Sequence, residues 1–337
     1  MVTIVNKVNK LFMILILSFL FGTLGINFAW IILSGVLGVI PMKYGEMIKT
    51  FLVYFPSLLM FGFGGYTVLK NKLSLKNDLR FKSLSPLVVL LLVIMGFVIM
   101  PLISLVNAIS MMFVTNLVEN ALDEFIKNGF LYAIFTVAVL PAVSEEFVYR
   151  GVIGQTYAKA NWRKGVLLSS FLFGIMHANF NQFSYAFVLG ILFMLVLEAT
   201  DSIYSTMLLH FIINGSSVVM TFLVKWLNTN KLIEGELQKA MSESQKITWN
   251  TIALLIIPAI ISLIGFCLLL VLISKITGRY EILSNKIKGN KVEKQLNDQE
   301  FNVENIKTKL WSWHLTVGTI LCFIVAILTE IQIRKGG

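Results

Sequence analysis

Charged residues are scarce in this sequence, because Asp, Glu, Lys and Arg together make up only 14% of its 337 residues. Soluble globular domains contain about 25% charged residues. Hydrophobic residues take their place at 57% of the chain, and many of them stand in long uninterrupted runs. This shortage of charge excludes an ordinary soluble domain. The sequence predicts an all-α, polytopic transmembrane helix bundle with about eight or nine spans.

Several familiar chemical patterns are also missing. The two cysteines, Cys267 and Cys322, each lie inside an apolar segment, which is typical of small core residues and not of a disulfide framework or a metal knuckle. No Gly-x-Ser-x-Gly sequence is present, and neither cysteine falls in the polar motifs described below, so neither a serine nor a cysteine nucleophile is indicated. The zinc-protease pattern His-Glu-x-x-His is absent as well.

The net charge of +10 raises the question of a nucleic-acid partner. The lysines fall in short segments between apolar runs, however, which is how membrane topology is encoded. Because no nucleic-acid-binding motif accompanies them, the predicted surroundings are the lipid bilayer and not nucleic acid.

Apolar runs of about 20 residues are long enough to cross a bilayer. The candidate spans are 11–33, 47–69, 84–113, 130–157, 166–180, 183–197, 202–227, 252–276 and 311–331. Basic residues are concentrated in alternate connections, so the positive-inside rule predicts a multi-pass protein of the cell membrane with a cytoplasmic N-terminus. The predicted organisation is a set of N-terminal membrane helices (1–129), a helical core (130–227) and C-terminal membrane helices (228–337) with a polar cytoplasmic loop at 278–308.

The fourth apolar run, 130–157, contains three charged residues: Glu145, Glu146 and Arg150. Ionisable groups at membrane depth are costly and usually mark function. Glu146 and Arg150 are four residues apart and can touch on a helix, whereas Glu145 points about 100° away from Glu146. Because a neighbouring arginine favours the charged form of Glu146, Glu145 is the candidate general base. Pro141, one turn earlier, is in a position to open space there.

Two of the three histidines have a partner at helical spacing, in Phe173-x-x-x-His177 and His210-x-x-x-Asn214. At 1.5 Å per residue, Glu145 and His177 each lie about 20 Å from the same predicted inner connection. His210 and Asn214 fall within an overlapping layer. Polar groups in lipid must find partners, so these positions are predicted to form a single site.

The third histidine, His314, stands beside Trp311 and Trp313 at a predicted membrane interface. An aromatic belt explains this cluster without any chemical role.

Peptide hydrolysis without a covalent intermediate needs a base, a group that orients water, and donors for the developing oxyanion. Glu145 and His177 suit the first two roles, and His210 with Asn214 suits the third. Arg150 would hold Glu146 in a supporting position. A divalent metal such as zinc stays open as a cofactor, because four residues in this layer are acceptable ligands: Glu145, Glu146, His177 and His210.

The three motifs, taken in order, resemble those of the type II CAAX prenyl endopeptidases, also called CPBP or Abi intramembrane proteases. The resemblance covers about 130–219. It implies an intramembrane endopeptidase of glutamate or metallo type. The substrate it implies is a peptide or membrane protein, and the family name indicates one that already carries a prenyl group. It also implies that Glu145 and His177 activate water and that His210 and Asn214 form the oxyanion hole. The remaining motif residues would support them: Glu146, Arg150 and Phe173.

The sequence departs from the family pattern just before His210. Many members have a Thr-Gly-Ser type turn there, whereas this chain has Asp201 in place of the glycine. The resemblance therefore does not predict the local geometry of that turn.

Two other functions stay open. A non-catalytic membrane protein with an immunity or scaffold role would keep the polar layer for helix packing, and bacterial relatives are associated with bacteriocin self-immunity. A transporter with a proton-relay glutamate would require paired inverted halves with interrupted helices, and no such internal symmetry is apparent.

Overall fold

The computed structural model describes residues 2–35, 42–116, 118–229, 247–289 and 309–336. These ranges form helices and contain no strand, which confirms the predicted all-α class. The helices are α1 (Val2–Gly35), α2 (Met42–Lys70), α3 (Pro86–Val98), α4 (Met100–Met111), α5 (Val118–Lys127), α6 (Phe130–Ala160), α7 (Trp162–Ile175), α8 (Phe180–Thr200), α9 (Ile203–Thr229), α10 (Trp249–Ile276), α11 (Tyr280–Lys288) and α12 (Trp313–Gly336).

Eight helical segments in the described chain are long and apolar enough to cross a membrane. One of them joins α3 to α4 through a break at Ile99, just before Pro101. A proline cannot donate the backbone hydrogen bond that would continue the preceding helix, so the break falls at this position. The prediction of a polytopic bundle with about eight or nine spans is therefore confirmed.

The predicted fifth span, 166–180, is shorter than a full crossing. Its helix, α7, has 14 residues and is about 21 Å long, against a hydrocarbon core of about 30 Å. Asn161 caps its start by accepting a hydrogen bond from the Lys164 amide. The chain then turns at Ala178, which has a positive φ of 48°, and returns as α8. Gly190 of α8 lies so close to Ser170 of α7 that a Cβ there would clash.

Several connections with excess positive charge meet at one end of the bundle, which we call the basic end. Glu198, buried at the end of α8, binds Arg80 from the α2–α3 connection and Arg279 from the start of α11. Lys159 pairs with Asp78. The charge pattern had assigned these connections to a single side of the membrane, and their contacts agree with that assignment.

Asp201, at the turn between α8 and α9, adopts the left-handed conformation with φ of 54°. Glycine is usual at such a position, but aspartate tolerates it better than most residues. Its carboxylate also lies beside Arg80, Lys82 and Arg279. The aspartate thus adds ion pairs at the turn that leads into the helix of His210.

Of the polar segment predicted at 278–308, residues 280–288 form α11. Residues 290–308 lie outside the described part of the chain.

Candidate active site

The backbone of α6 is irregular on both sides of the glutamates. π-Helical turns at Ile134–Val139 and Phe147–Gly154 flank the α-helical segment Leu140–Glu146. Such turns are rare and frequently occur at functional sites. Pro141 lacks the N–H that would bond the Val137 carbonyl in an α-helix, and Asn214 of α9 supplies a donor instead, with its Nδ2 at 3.0 Å from that oxygen.

The Glu146 carboxylate lies fully buried between two cationic or potentially cationic groups. Its Oε1 is 3.0 Å from Nη1 of Arg150 and accepts a hydrogen bond of 2.8 Å from Nδ1 of His210. The Arg150 contact is an ion pair without hydrogen-bond geometry, since neither of its terminal nitrogens makes a hydrogen bond. The guanidinium group stacks on the rings of Phe173 and Phe193, at 3.9 and 5.0 Å from their centroids.

The Glu145 carboxylate faces the two imidazoles. Its Oε2 lies 4.0 Å from Nε2 of His177 and 3.9 Å from Nε2 of His210. These distances exceed a direct hydrogen bond but suit a bridging water. The side chains of Glu145 and His177 keep partial exposure, at 14% and 12%, whereas that of His210 is buried, at 8%. The space between them is therefore both polar and reachable.

The hydrogen bond at Nδ1 of each histidine determines which ring nitrogen carries hydrogen. His177 Nδ1 donates to the carbonyl of Phe173 at 2.9 Å, and a carbonyl only accepts. Nδ1 thus carries the hydrogen, and the neutral ring presents the lone pair of Nε2 to Glu145. In the same way, His210 Nδ1 donates to Glu146, and its Nε2 becomes a donor only when the ring holds both hydrogens.

The structure brings together three of the four residues for which a catalytic role was predicted: Glu145, His177 and His210. Asn214 lies one turn after His210 on α9, where one N–H of its amide is used by Val137 and the other is left for a further partner. His314 lies at the basic end, at the start of α12, and stacks on Trp313 with 3.9 Å between ring centroids.

Three further side chains near this site had not been identified from the sequence. Tyr149 and Tyr185 lie close enough to Glu145 to interact with its charge. Tyr149 follows Glu145 by four residues, which is a helical spacing that would have indicated it. Phe193, which packs on both Arg150 and His210, comes from α8 and has no local pattern that points to it.

The donor set at this site is chemically compatible with zinc. Glu145, His177 and His210 offer oxygen and nitrogen atoms of the types that zinc prefers, and each Nδ1 is bonded to a carbonyl or carboxylate, as is common for metal-ligating histidines. Across the described ranges, however, no group of three or more His, Cys, Asp or Glu side chains is arranged to hold a metal ion.

A helical membrane bundle with a carboxylate and two imidazoles around a common space has the groups of a membrane-embedded hydrolase. Residues 127–216 match the family model described as Type II CAAX prenyl endopeptidase Rce1-like. The resemblance predicted from the three motifs is thereby confirmed, and the match includes every residue of the site from Glu145 to Asn214. At the level of the family, it supports a CAAX-type membrane protease acting on a peptide. No curated protein and no solved structure matches the chain.

Proposed function

We propose that this protein is an intramembrane endopeptidase in which Glu145 and His177 activate a water molecule. The observation that carries the proposal is the 4.0 Å gap between Glu145 Oε2 and His177 Nε2, with both atoms free to accept. A water in this gap donates one hydrogen to each and keeps a lone pair for attack. Glu145 takes the proton as the water oxygen bonds to the peptide carbon.

In this proposal His210 and Asn214 stabilise the oxyanion that this attack creates. A doubly protonated His210 ring donates from Nε2 while Glu146 holds its other nitrogen. The second N–H of the Asn214 amide is the other candidate donor. Donors fixed before the reaction stabilise developing charge most effectively. When the C–N bond breaks, the proton held by Glu145 passes to the departing amine, so the products are a carboxylic acid and an amine.

Burial of Glu146 and Arg150 suits a positioning role. Together they hold the His210 ring through its Nδ1 and fix its orientation toward Glu145. Phe173 contributes twice, because its ring lies under Arg150 and its carbonyl orients His177. These residues would act through the histidines and not on the substrate.

The proposed substrate is a peptide segment that enters from the basic end, which we assign to the cytoplasmic side from the distribution of lysines. The α6–α7 and α8–α9 connections lie at that end. The C-terminal part of α6 separates them from Glu145, and the length of α7 separates them from His177. A prenylated C-terminal peptide is the substrate class that the family description suggests.

Chelation separates this mechanism from a zinc enzyme. We expect peptide cleavage by the purified protein to persist after exhaustive treatment with a zinc chelator, because proton transfer to Glu145 needs no metal. Zinc is the second candidate, favoured by the hydrogen-bonded Nδ1 atoms of both histidines; held by Glu145, His177 and His210, it would polarise the peptide carbonyl and acidify water. Loss of cleavage on chelation, restored by zinc alone, would establish that candidate.

A comparison of membrane-associated peptides in cells tests the function itself. Cells that express the wild-type chain are expected to contain a cleaved product that is missing with His177→Gln, since glutamine cannot hold the water in the same way. His314→Gln is the matched control, because that histidine lies outside the site, and it should leave the product at the wild-type level.

The proposed protease function would be contradicted if the cellular phenotype persists in His177→Gln cells and no cleaved peptide depends on His177. It would support the scaffold or immunity role, in which the buried contacts among Glu146, Arg150 and His210 serve packing alone.

A further inference from the structure

A cavity lies between α1 and α2, and its lining includes no residue of α6, the helix that carries the glutamates. Its volume is about 800 Å³, within the range of about 300–1,000 Å³ that is usual for sites of small molecules. Its lining belongs entirely to these two helices and the residue that follows α2: Lys7, Lys10, Leu11, Ile14, Leu58, Leu59, Gly62, Phe63, Tyr66, Thr67, Lys70 and Asn71.

The rim of this cavity is cationic and contains no carboxylate. Lys7 donates to the side-chain oxygen of Asn71 at 2.8 Å, and Lys70 donates to the hydroxyl of Tyr66 at 2.8 Å. Neither lysine, nor Lys10, pairs with an acidic side chain in the part of the chain that the structure describes. Three ammonium groups thus converge on one opening with their charge uncompensated.

The interior is apolar and lies deeper in the membrane than the rim. Lys70 ends α2 at the basic end, and Lys7 reaches the same level through Asn71. Gly62 lies eight residues, or about 12 Å, further in along α2, next to Leu58 and Leu59. The cavity therefore passes from the level of lipid headgroups to the level of acyl chains.

We propose that this cavity binds one anionic phospholipid. The lipid phosphate would lie among Lys7, Lys10 and Lys70, and one acyl chain would run along α2 past Gly62. Basic pockets between transmembrane helices are a recognised type of site for anionic headgroups. A zwitterionic lipid fits less well, because its cationic group would lie against the same lysines.

The proposal is tested by titrating the full chain in detergent micelles with phosphatidylglycerol and counting bound lipid by native mass spectrometry. We expect one tightly bound lipid, and we expect the triple variant Lys7→Gln, Lys10→Gln and Lys70→Gln to bind it at least about tenfold more weakly. The matched control replaces three exposed lysines of the basic end outside the cavity, which are Lys76, Lys164 and Lys288. It removes the same charge and should retain wild-type affinity.

The apolar part has its own test. A side chain at Gly62 has room, since nothing lies within 4 Å of its Cβ position, so Gly62→Leu should fill the cavity and weaken binding without a change in charge. Gly65→Leu is the control, because Gly65 also has open space but does not line the cavity.

Three results would overturn the proposal. Equal affinity for phosphatidylcholine and phosphatidylglycerol would show that the three lysines do not select an anionic lipid. An equal loss of lipid affinity in the triple variant and in its control would show that total charge, and not this cavity, causes the effect. Competition by glycerol phosphate at the same concentration as the lipid would show a phosphate site that does not use the acyl chain.

Discussion

Replacement of Glu145 by glutamine is expected to lower kcat for peptide cleavage by roughly 10²–10⁴, the range associated with a lost general base. Glutamine keeps the shape and can still contact water, but it cannot take a proton at the moment of attack. KM should change little, because the proton moves only in the transition state. The measurement is the initial rate of cleavage in proteoliposomes, with a peptide identified from the cellular comparison.

The fold should tolerate this change. Glu145 is partly exposed, and its nearest imidazole nitrogens are about 4 Å away, so the substitution removes no short contact to them. The thermal midpoint in detergent should therefore remain within a few degrees of the wild type. Glu281→Gln, at an exposed position in α11, is the matched control for loss of a carboxylate and should keep full activity. Undiminished cleavage by Glu145→Gln would refute the assignment of this residue as the base.

Replacement of Arg150 by leucine is expected to destabilise the protein by about 3–5 kcal/mol. The guanidinium and the Glu146 carboxylate are 2% and 0% exposed, so removal of the arginine leaves a negative charge in the bundle without its main counter-ion. The leucine also loses the stacking on Phe173 and Phe193. The measurement is the free energy of unfolding in mixed micelles, or the fall in thermal midpoint where unfolding is irreversible.

A second substitution separates charge from packing. Glu146→Gln in the Arg150→Leu background should recover part of the lost stability, because a neutral amide is easier to bury and still accepts from His210. Arg163→Leu is the control, since Arg163 is exposed and its hydrogen bonds go to the backbone carbonyls of Lys286 and Ile287 in α11. If the double variant is no more stable than Arg150→Leu, the ion pair is not the reason for the loss.

The activity of these variants distinguishes positioning from catalysis. Arg150 is proposed to act through Glu146 and His210, so a variant that folds again with Glu146→Gln should regain some cleavage. No such rescue is expected for Glu145→Gln, whose defect lies in the reacting groups themselves.

The helical class and most spans could be predicted from the sequence itself, and so could three polar residues that lie close together, Glu145, His177 and His210. Apolar runs predict where helices cross the membrane, because every backbone polar group must form its hydrogen bonds within the bilayer. The run at 84–113, for example, appears as a segment from Pro86 to Met111. The similar depth of Glu145 and His177 was predicted from the rise of an ideal helix, and the 4.0 Å between their side chains agrees with it.

Only the tertiary structure decided how these residues face one another. That His210 bonds Glu146 through Nδ1 while its Nε2 faces Glu145 depends on the relative rotation of α6 and α9, which neither helix specifies by itself. The same holds for the bond from Asn214 to the carbonyl that Pro141 leaves free, for Phe193 against Arg150, and for the cavity between α1 and α2. Spacing along one helix is set by local backbone geometry, whereas contacts between helices depend on side-chain packing across the whole bundle.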